Sequence, residues 1–271
     1  MEKHLFTFFL LMVYSFIGWC GEMLYCSACQ RRLCEKRGFL NGPLCPIYGH
    51  GALIVLFCLD GGCHSPILTF LLGGILTTML EYLTSYAMEK LFHMRWWDYS
   101  QFKLQINGRV CLLNSTLFGL ACVFLCHIAN PPITAWAESL FAQGIGVPFS
   151  IALLLLYGAD IFLSIRSAIR IGGRLAKLHA IHDELSEKLA ALRAETVQTV
   201  QTRLEPFTEY STGLPARLEA AKAEAQQKLH ALYERQDIFE RRLLRSFPTM
   251  KSIHYPEAMK KWKEYIANLK K

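Results

Sequence analysis

Charge is scarce in the first three-fifths of this chain. Before residue 166 there are nine Lys or Arg and nine Asp or Glu, which leaves 20 basic and 13 acidic side chains for the rest. The whole formal net charge of +7 therefore belongs to the carboxy-terminal part. Two stretches, 60–66 and 129–146, contain no Lys or Arg at all. Also missing are a GxxxxGK[ST] phosphate loop, an HExxH helix, a GxSxG elbow and a phosphatase-like His/Arg set. Without a phosphate loop the chain cannot hydrolyse ATP by itself, and no recognised hydrolase chemistry marks it as an enzyme.

In place of charge there are five apolar runs, at 5–24, 47–59, 67–88, 110–128 and 147–165. A bilayer core about 30 Å thick needs about 20 mostly apolar residues per helix. Four runs have that length, and the second reaches it only if it begins near Pro43. A soluble core can bury one such run, but five in succession are hard to explain that way. The first is too long for the apolar part of a signal peptide and has no small-x-small cleavage site. Trp19 before Cys20 argues against a lipoprotein signal. The expected fold is therefore all-α: a polytopic membrane bundle of about five transmembrane helices over 1–166, then a cytoplasmic helical tail over 167–271.

Loop charges give the orientation. Arg31, Arg32, Lys36 and Arg37 lie in the 25–46 connection, and Lys90, Arg95, Lys103 and Arg109 lie in 89–109. The other two connections have none, and the basic tail falls in phase with the charged ones. Positive-inside logic puts the amino terminus outside and the tail in the cytoplasm, which requires five crossings.

The tail has its own pattern. Leu175, Leu178, Leu185, Leu189 and Leu192 recur at heptad-like spacing, and Leu218, Ala225, Leu229, Leu232, Phe239 and Leu243 follow a turn-rich stretch with Pro206, Gly213 and Pro215. This predicts a helical hairpin or coiled-coil arm, either packed on itself or serving as a homodimer or partner contact. The final basic, aromatic segment (Lys260, Lys261, Trp262, Lys263, Tyr265, Lys270) suits an anionic lipid surface better than nucleic acid, which we do not expect as a partner.

Ionisable groups inside apolar spans are functional candidates by default. Glu22 lies about 25 Å along a helix that starts outside, and Glu81 and Asp160 lie about 20 Å along theirs. His50 and Asn114 lie in the first turns of helices that start inside. All five fall in the cytoplasmic half of the bilayer. Glu81, Ser85 and Glu89 are spaced by four and share one helix face. Near the same level, residues 37–51 hold four glycines and two prolines and cannot form a regular helix. They make either a rigid turn into the second helix or a re-entrant loop. The aromatic stretch 96–102 suits the headgroup region, with Trp96 as an anchor. Asp98 there needs a partner, for which Arg95, Lys103 and Arg109 are available. The expected polar cavity is drawn from Glu22, Asn41, Tyr48, His50, Glu81, Ser85, Glu89, Trp97, Asp98, Arg109, Asn114 and Asp160, with Arg109 as the basic partner of Glu22 and Glu81. Cys26 and Cys29 form a CxxC, but the spacing to Cys34 and Cys45 is irregular for zinc, and the expected cytoplasmic side disfavours disulfides. No metal and no cofactor is expected.

RGFLNGPLCPIYGHG at 37–51, Glu81 with Ser85 and Met88-Glu89, RWWDYS at 95–100 and INGRVCL at 106–112 occur in one order. Together they resemble the bacterial family labelled "putative ABC-transporter permease", of the CmpB type. The likeness runs from about Trp19 to Asn114, more weakly through the fifth helix, and again at RSFPTM (245–250) and the basic helix after it. It implies a multi-pass protein of the bacterial cytoplasmic membrane that acts as a permease, with a separate ATPase subunit as partner. It carries no substrate and no catalytic residue. Two other readings stay open: an inner-leaflet enzyme acting on lipid head groups, and a membrane scaffold that recruits a partner through its tail.

Overall fold

The computed structural model describes residues 1–31, 37–59, 65–202, 210–234 and 237–268; for 29–30, 195–202, 210–215 and 267–268 it describes the backbone alone. Two compact units emerge. One comprises Met1–Ile169 with Arg242–Lys251, the other Arg170–Arg241 with Ser252–Lys271.

The first unit is built on α1 (Glu2–Gln30), α2 (Pro46–Cys58), α3 (Pro66–Phe92), α4 (Leu112–Phe124), α5 (Asn130–Ala142) and the start of α6 (Gly146–Thr202). Helix boundaries follow local chemistry. Pro46 and Pro66 sit at first-turn positions, where a missing N–H costs nothing. The Ser65 hydroxyl caps α3 by accepting from the Leu68 amide at 3.3 Å. Helices α1 and α3 stop at residues in the left-handed region, Arg31 and His93.

Among the described residues, four helical stretches are long and apolar enough to cross a membrane: Glu2–Ala28, Pro66–Phe92, Leu112–Ala142 and Gly146–Ala194. Between 11% and 28% of their apolar windows is buried, so most of that surface suits only lipid. The count differs from the expected five because α2 has 13 residues, about 20 Å of helix. The third stretch, Leu112–Ala142, is also longer than its apolar run suggested. Pro131 and Pro132 do not end it. They fall in the first turn of α5, directly after a π-helical segment (Leu125–Ala129) whose wider turn absorbs the missing donors.

Helix α2 packs tightly on α1. A Cβ at Gly18 would lie 2.2 Å from Tyr48 Cβ, and one at Gly49 would lie 2.2 Å from Ser15 Oγ. Small residues thus let two backbones approach where hydrophobic force between helices is weak. The Cys45 amide donates to the Ser15 carbonyl at 3.0 Å. Since Ser15 lies halfway along α1, the loop before α2 descends to mid-helix level. At the amino-terminal end of α1, Phe9 packs against Trp136, Phe141 and Phe149, and Tyr14 donates to Asn130 Oδ1 at 2.6 Å.

In the second unit α6 and α7 (Tyr210–Glu234) run antiparallel. Lys188 pairs with Glu224 at 3.2 Å and Lys228 with Glu184 at 3.0 Å, while Arg174 reaches the Leu232 carbonyl. Gly213 and Pro215 lie inside α7 rather than in the expected turn, and Pro206 lies outside the described residues. Leu175, Leu178 and Ala225 are buried, whereas Phe239 is exposed and so leaves the apolar pattern. Trp262 of α9 (Pro256–Asn268) is buried and Tyr265 stacks on Tyr233 at 4.4 Å. These aromatics point into the unit and not toward a lipid surface, since packing them together removes more apolar area from water.

The contact between α1 and α2 is the most exacting in the fold. Replacing Gly18 with Leu should destabilise the protein by about 1–3 kcal/mol or more, the usual scale of overpacking. Its melting temperature in detergent, measured by intrinsic fluorescence, should fall, whereas the same change at Gly158, with open space around it, should be neutral.

Candidate functional site

Four elements bring polar groups together beside the carboxy-terminal half of α1. Tyr48, held over Gly18 by the close helix contact, donates its hydroxyl to Glu22 Oε2 at 2.6 Å. Cys26 Sγ lies 3.5 Å from Glu22 Oε1. Tyr99 donates to Glu81 Oε1 at 3.2 Å. Glu81 is 4% exposed, and its Oε2 is buried without a hydrogen bond. The Asn114 side chain bonds the same carboxyl, and Glu22 lies within electrostatic reach of it. Burial first, and then the carboxylates of Glu81 and Glu22, push the Tyr99 hydroxyl well above its ordinary range, so it acts as a fixed donor.

Two turns further along α3 the chemistry changes. Arg109 donates to Ser85 Oγ at 3.2 Å and to Glu89 Oε1 at 2.8 Å, and Arg95 Nε donates to Glu89 Oε2 at 3.1 Å. The Arg109 guanidinium also lies over the rings of Tyr82 and Tyr86. Arg109 therefore serves Glu89 and Ser85, and not Glu22 and Glu81 as expected. A short ribbon aims it: Gln105–Ile106 pairs with Val110–Cys111 around a turn in which Asn107 and Gly108 both have positive φ. A Cβ at Gly108 would meet Ser100 Oγ at 2.6 Å and Asp98 Oδ1 at 2.7 Å, so glycine is required twice over.

The partner of Asp98 is Lys251, which comes from none of the expected candidates but from the far end of the chain. Ser100 adds its amide and hydroxyl. Burial pushes the Asp98 carboxyl up, but Lys251 and Ser100 outweigh it and hold it at about 2, below the ordinary 3.8. Trp97 donates its indole N–H to the Arg109 carbonyl at 3.0 Å. Trp96 is buried edge-on among Phe39, Phe92 and Phe247 and is therefore core, not a headgroup anchor.

The glycine- and proline-rich loop is clamped from two sides. Asp160 Oδ1 accepts from the Asn41 amide at 2.8 Å and its side chain at 2.9 Å, and Oδ2 accepts from the Gly42 amide at 2.6 Å. Asn41 also reaches Ser164 at 3.1 Å. On the other side Arg242, in α8 (Ile238–Ser246), donates to the carbonyls of Gly38, Phe39 and Leu40 at 3.1, 2.7 and 2.7 Å. Arg37 in turn donates to the Ser246 carbonyl at 2.9 Å. One acid takes the donors of the loop and one base takes its acceptors. Asn41 and Asp160 thus hold the loop. His50 is exposed, its Nδ1 2.7 Å from the Pro46 carbonyl of its own helix, and does not join the cluster.

Comparison with family models completes this picture. The model for "Putative ABC-transporter type IV" matches residues 9–165. The chain belongs to this family. The match begins within α1, takes in α2 to α5 and both loops, and ends within the first part of α6. Comparisons with curated proteins and with solved structures gave no match. Among the described residues no group of three or more His, Cys, Asp or Glu is placed to hold a metal ion, while Cys34 and the Cys29 side chain lie outside them.

Sequence reasoning missed Tyr99, Arg242 and Lys251. Tyr99 has a signal in its motif, since it follows Asp98 directly. Arg242 and Lys251 have none, because nothing separates them from the other basic residues of the tail.

Two outcomes test these clamps. Arg242→Ala strands three carbonyls, and at about 1.5–3 kcal/mol for hydrogen bonds to a charged group it should lower the detergent melting temperature markedly. Arg242→Lys should restore only part, lacking the planar fork. Asp98 is depressed, so its contribution is fully present above pH 3.8 and disappears as pH falls toward 2. Lys251 is largely exposed, which limits the pair to roughly 0–1 kcal/mol. Hydrogen exchange at the Ser100 amide, corrected for intrinsic rate, should lose protection over that window and should be low at every pH in Asp98→Asn.

Proposed function

We propose that the chain is the membrane-spanning subunit of a bacterial transport system, and that Glu22, Tyr48, Glu81, Tyr99 and Asn114 mark the point where its substrate is held. One observation carries the reading: a carboxyl inside an apolar span with one oxygen buried and unbonded, opposite a second carboxyl. Such a group is expensive in a membrane and is retained where something passes or binds. Family membership supports the same reading.

The loop that descends to Ser15 and the short helix α2 together account for one crossing, half irregular and half helical. Broken crossings of this kind supply binding groups at mid-membrane in transporters, and their irregular backbone is tolerated only when packed in protein. With α2 counted so, the charge pattern of the loops gives five crossings, an outside amino terminus and a cytoplasmic arm. The antiparallel ladder between α6 and α7 supports a coiled-coil arm. Energy must come from a separate ATPase, since this chain has no phosphate loop.

Purification of the tagged full-length protein from its native membranes tests this. A nucleotide-hydrolysing subunit should copurify, and ATP hydrolysis by the reconstituted pair should fall several-fold in Glu81→Gln. Absence of such a subunit, or hydrolysis indifferent to Glu81, overturns the reading. A fluorescent reporter fused after residue 271 should be active in the cytoplasm; activity only outside would refute the five-crossing arrangement.

A further inference from the structure

Negative charge in the cluster meets only neutral donors. Tyr48 and Cys26 bond Glu22, and Tyr99 bonds Glu81. The nearby cations are engaged elsewhere: Arg109 and Arg95 on Glu89, Lys251 on Asp98. Among the described residues none forms an ion pair with Glu22 or Glu81. A carboxylate buried without a cationic partner, as Glu81 would be, is costly in a low-dielectric interior, and a positive ligand removes that cost.

The donor and acceptor inventory narrows the ligand. Glu81 Oε2 is buried with no hydrogen-bond partner, the Asn114 side chain is a neutral partner of the same carboxyl, and Glu22 lies within electrostatic reach. An –NH3⁺ group has three donors and no acceptor, which complements such a site. A divalent ion such as Ca²⁺ or Mg²⁺ demands six or more oxygens in its shell, whereas this site offers two carboxyls. An anion would face two acids.

We propose that Glu22 and Glu81 bind the ammonium head of a small protonated amine, with Glu81 Oε2 as its principal acceptor. This names the substrate class of the site proposed above and rests on that reading for the fate of the amine after binding.

The test uses the full-length protein in nanodiscs, with methylammonium chloride as the probe and sodium chloride at matched ionic strength as the reference. Methylammonium should raise the melting temperature saturably and give a titratable calorimetric isotherm. Glu81→Gln, nearly isosteric, should weaken binding about tenfold or more, the scale of a lost charge-assisted contact. The melting temperature of Glu81→Gln without methylammonium should be at least that of the parent, since the change removes an unpaired buried acid, which guards against reading misfolding as lost affinity. Glu138→Gln, exposed on α5, should change nothing. No saturable response, an equal response to sodium, or an unaltered response in Glu81→Gln overturns the proposal. Binding is read without any ATPase. An amine that binds where no ATPase copurifies leaves this site standing and removes the transport reading, and the reverse outcome removes only this inference.

Discussion

The stretch from Gly38 to Cys45 runs beside α1 without being helical, so its backbone amides and carbonyls must find partners outside any helix or sheet. Its solution is unusually economical in residues. Asp160 accepts from two successive amides, Arg242 donates to three successive carbonyls, and Ser15 lends a main-chain oxygen to Cys45. The position of α2 follows from this, because the loop delivers Pro46 to mid-height on α1. Tyr48 then stands over Gly18 and reaches Glu22, so the acidic cluster depends on the clamp even though no clamp residue touches it.

Helix α3 carries two acids eight residues apart, about 12 Å of rise, and treats them oppositely. Glu89 is met by two guanidiniums, a neutralised ion pair near the helix end. Glu81 is met by the Tyr99 hydroxyl and the Asn114 side chain, and by no cation among the described residues. Arg109 is fixed at the Glu89 level by a ribbon whose turn needs Asn107 and Gly108, which keeps it from neutralising the deeper acid. The separation of a paired tier from an unpaired one is therefore set by a glycine outside the helices.

Much of this could be read from the chain. The long apolar runs, the shared face of Glu81, Ser85 and Glu89, and the irregularity of 37–51 follow from hydropathy, helical period and glycine and proline content. Other features could not, for identifiable reasons. Pro131 and Pro132 look like a helix end because the compensating π-segment has no sequence signature. Trp96 looks interfacial because composition cannot distinguish a ring at a headgroup from one buried by three phenylalanines. The partner of Asp98 was sought among near neighbours, whereas tertiary structure supplied Lys251 from more than 150 residues away.

The clamp also sets an order of events in synthesis. Arg242 follows the carbonyls it bonds by 202 to 204 positions. A ribosome has inserted every membrane helix and made the whole helical hairpin before that guanidinium exists. Until then the loop has its amide acceptor in Asp160 but lacks its carbonyl donor, and the start of α2 is only half secured. Biogenesis of the membrane part is thus completed by a residue encoded beyond it, so a transcript truncated after the last span would yield the helices without the group that fastens the loop between them.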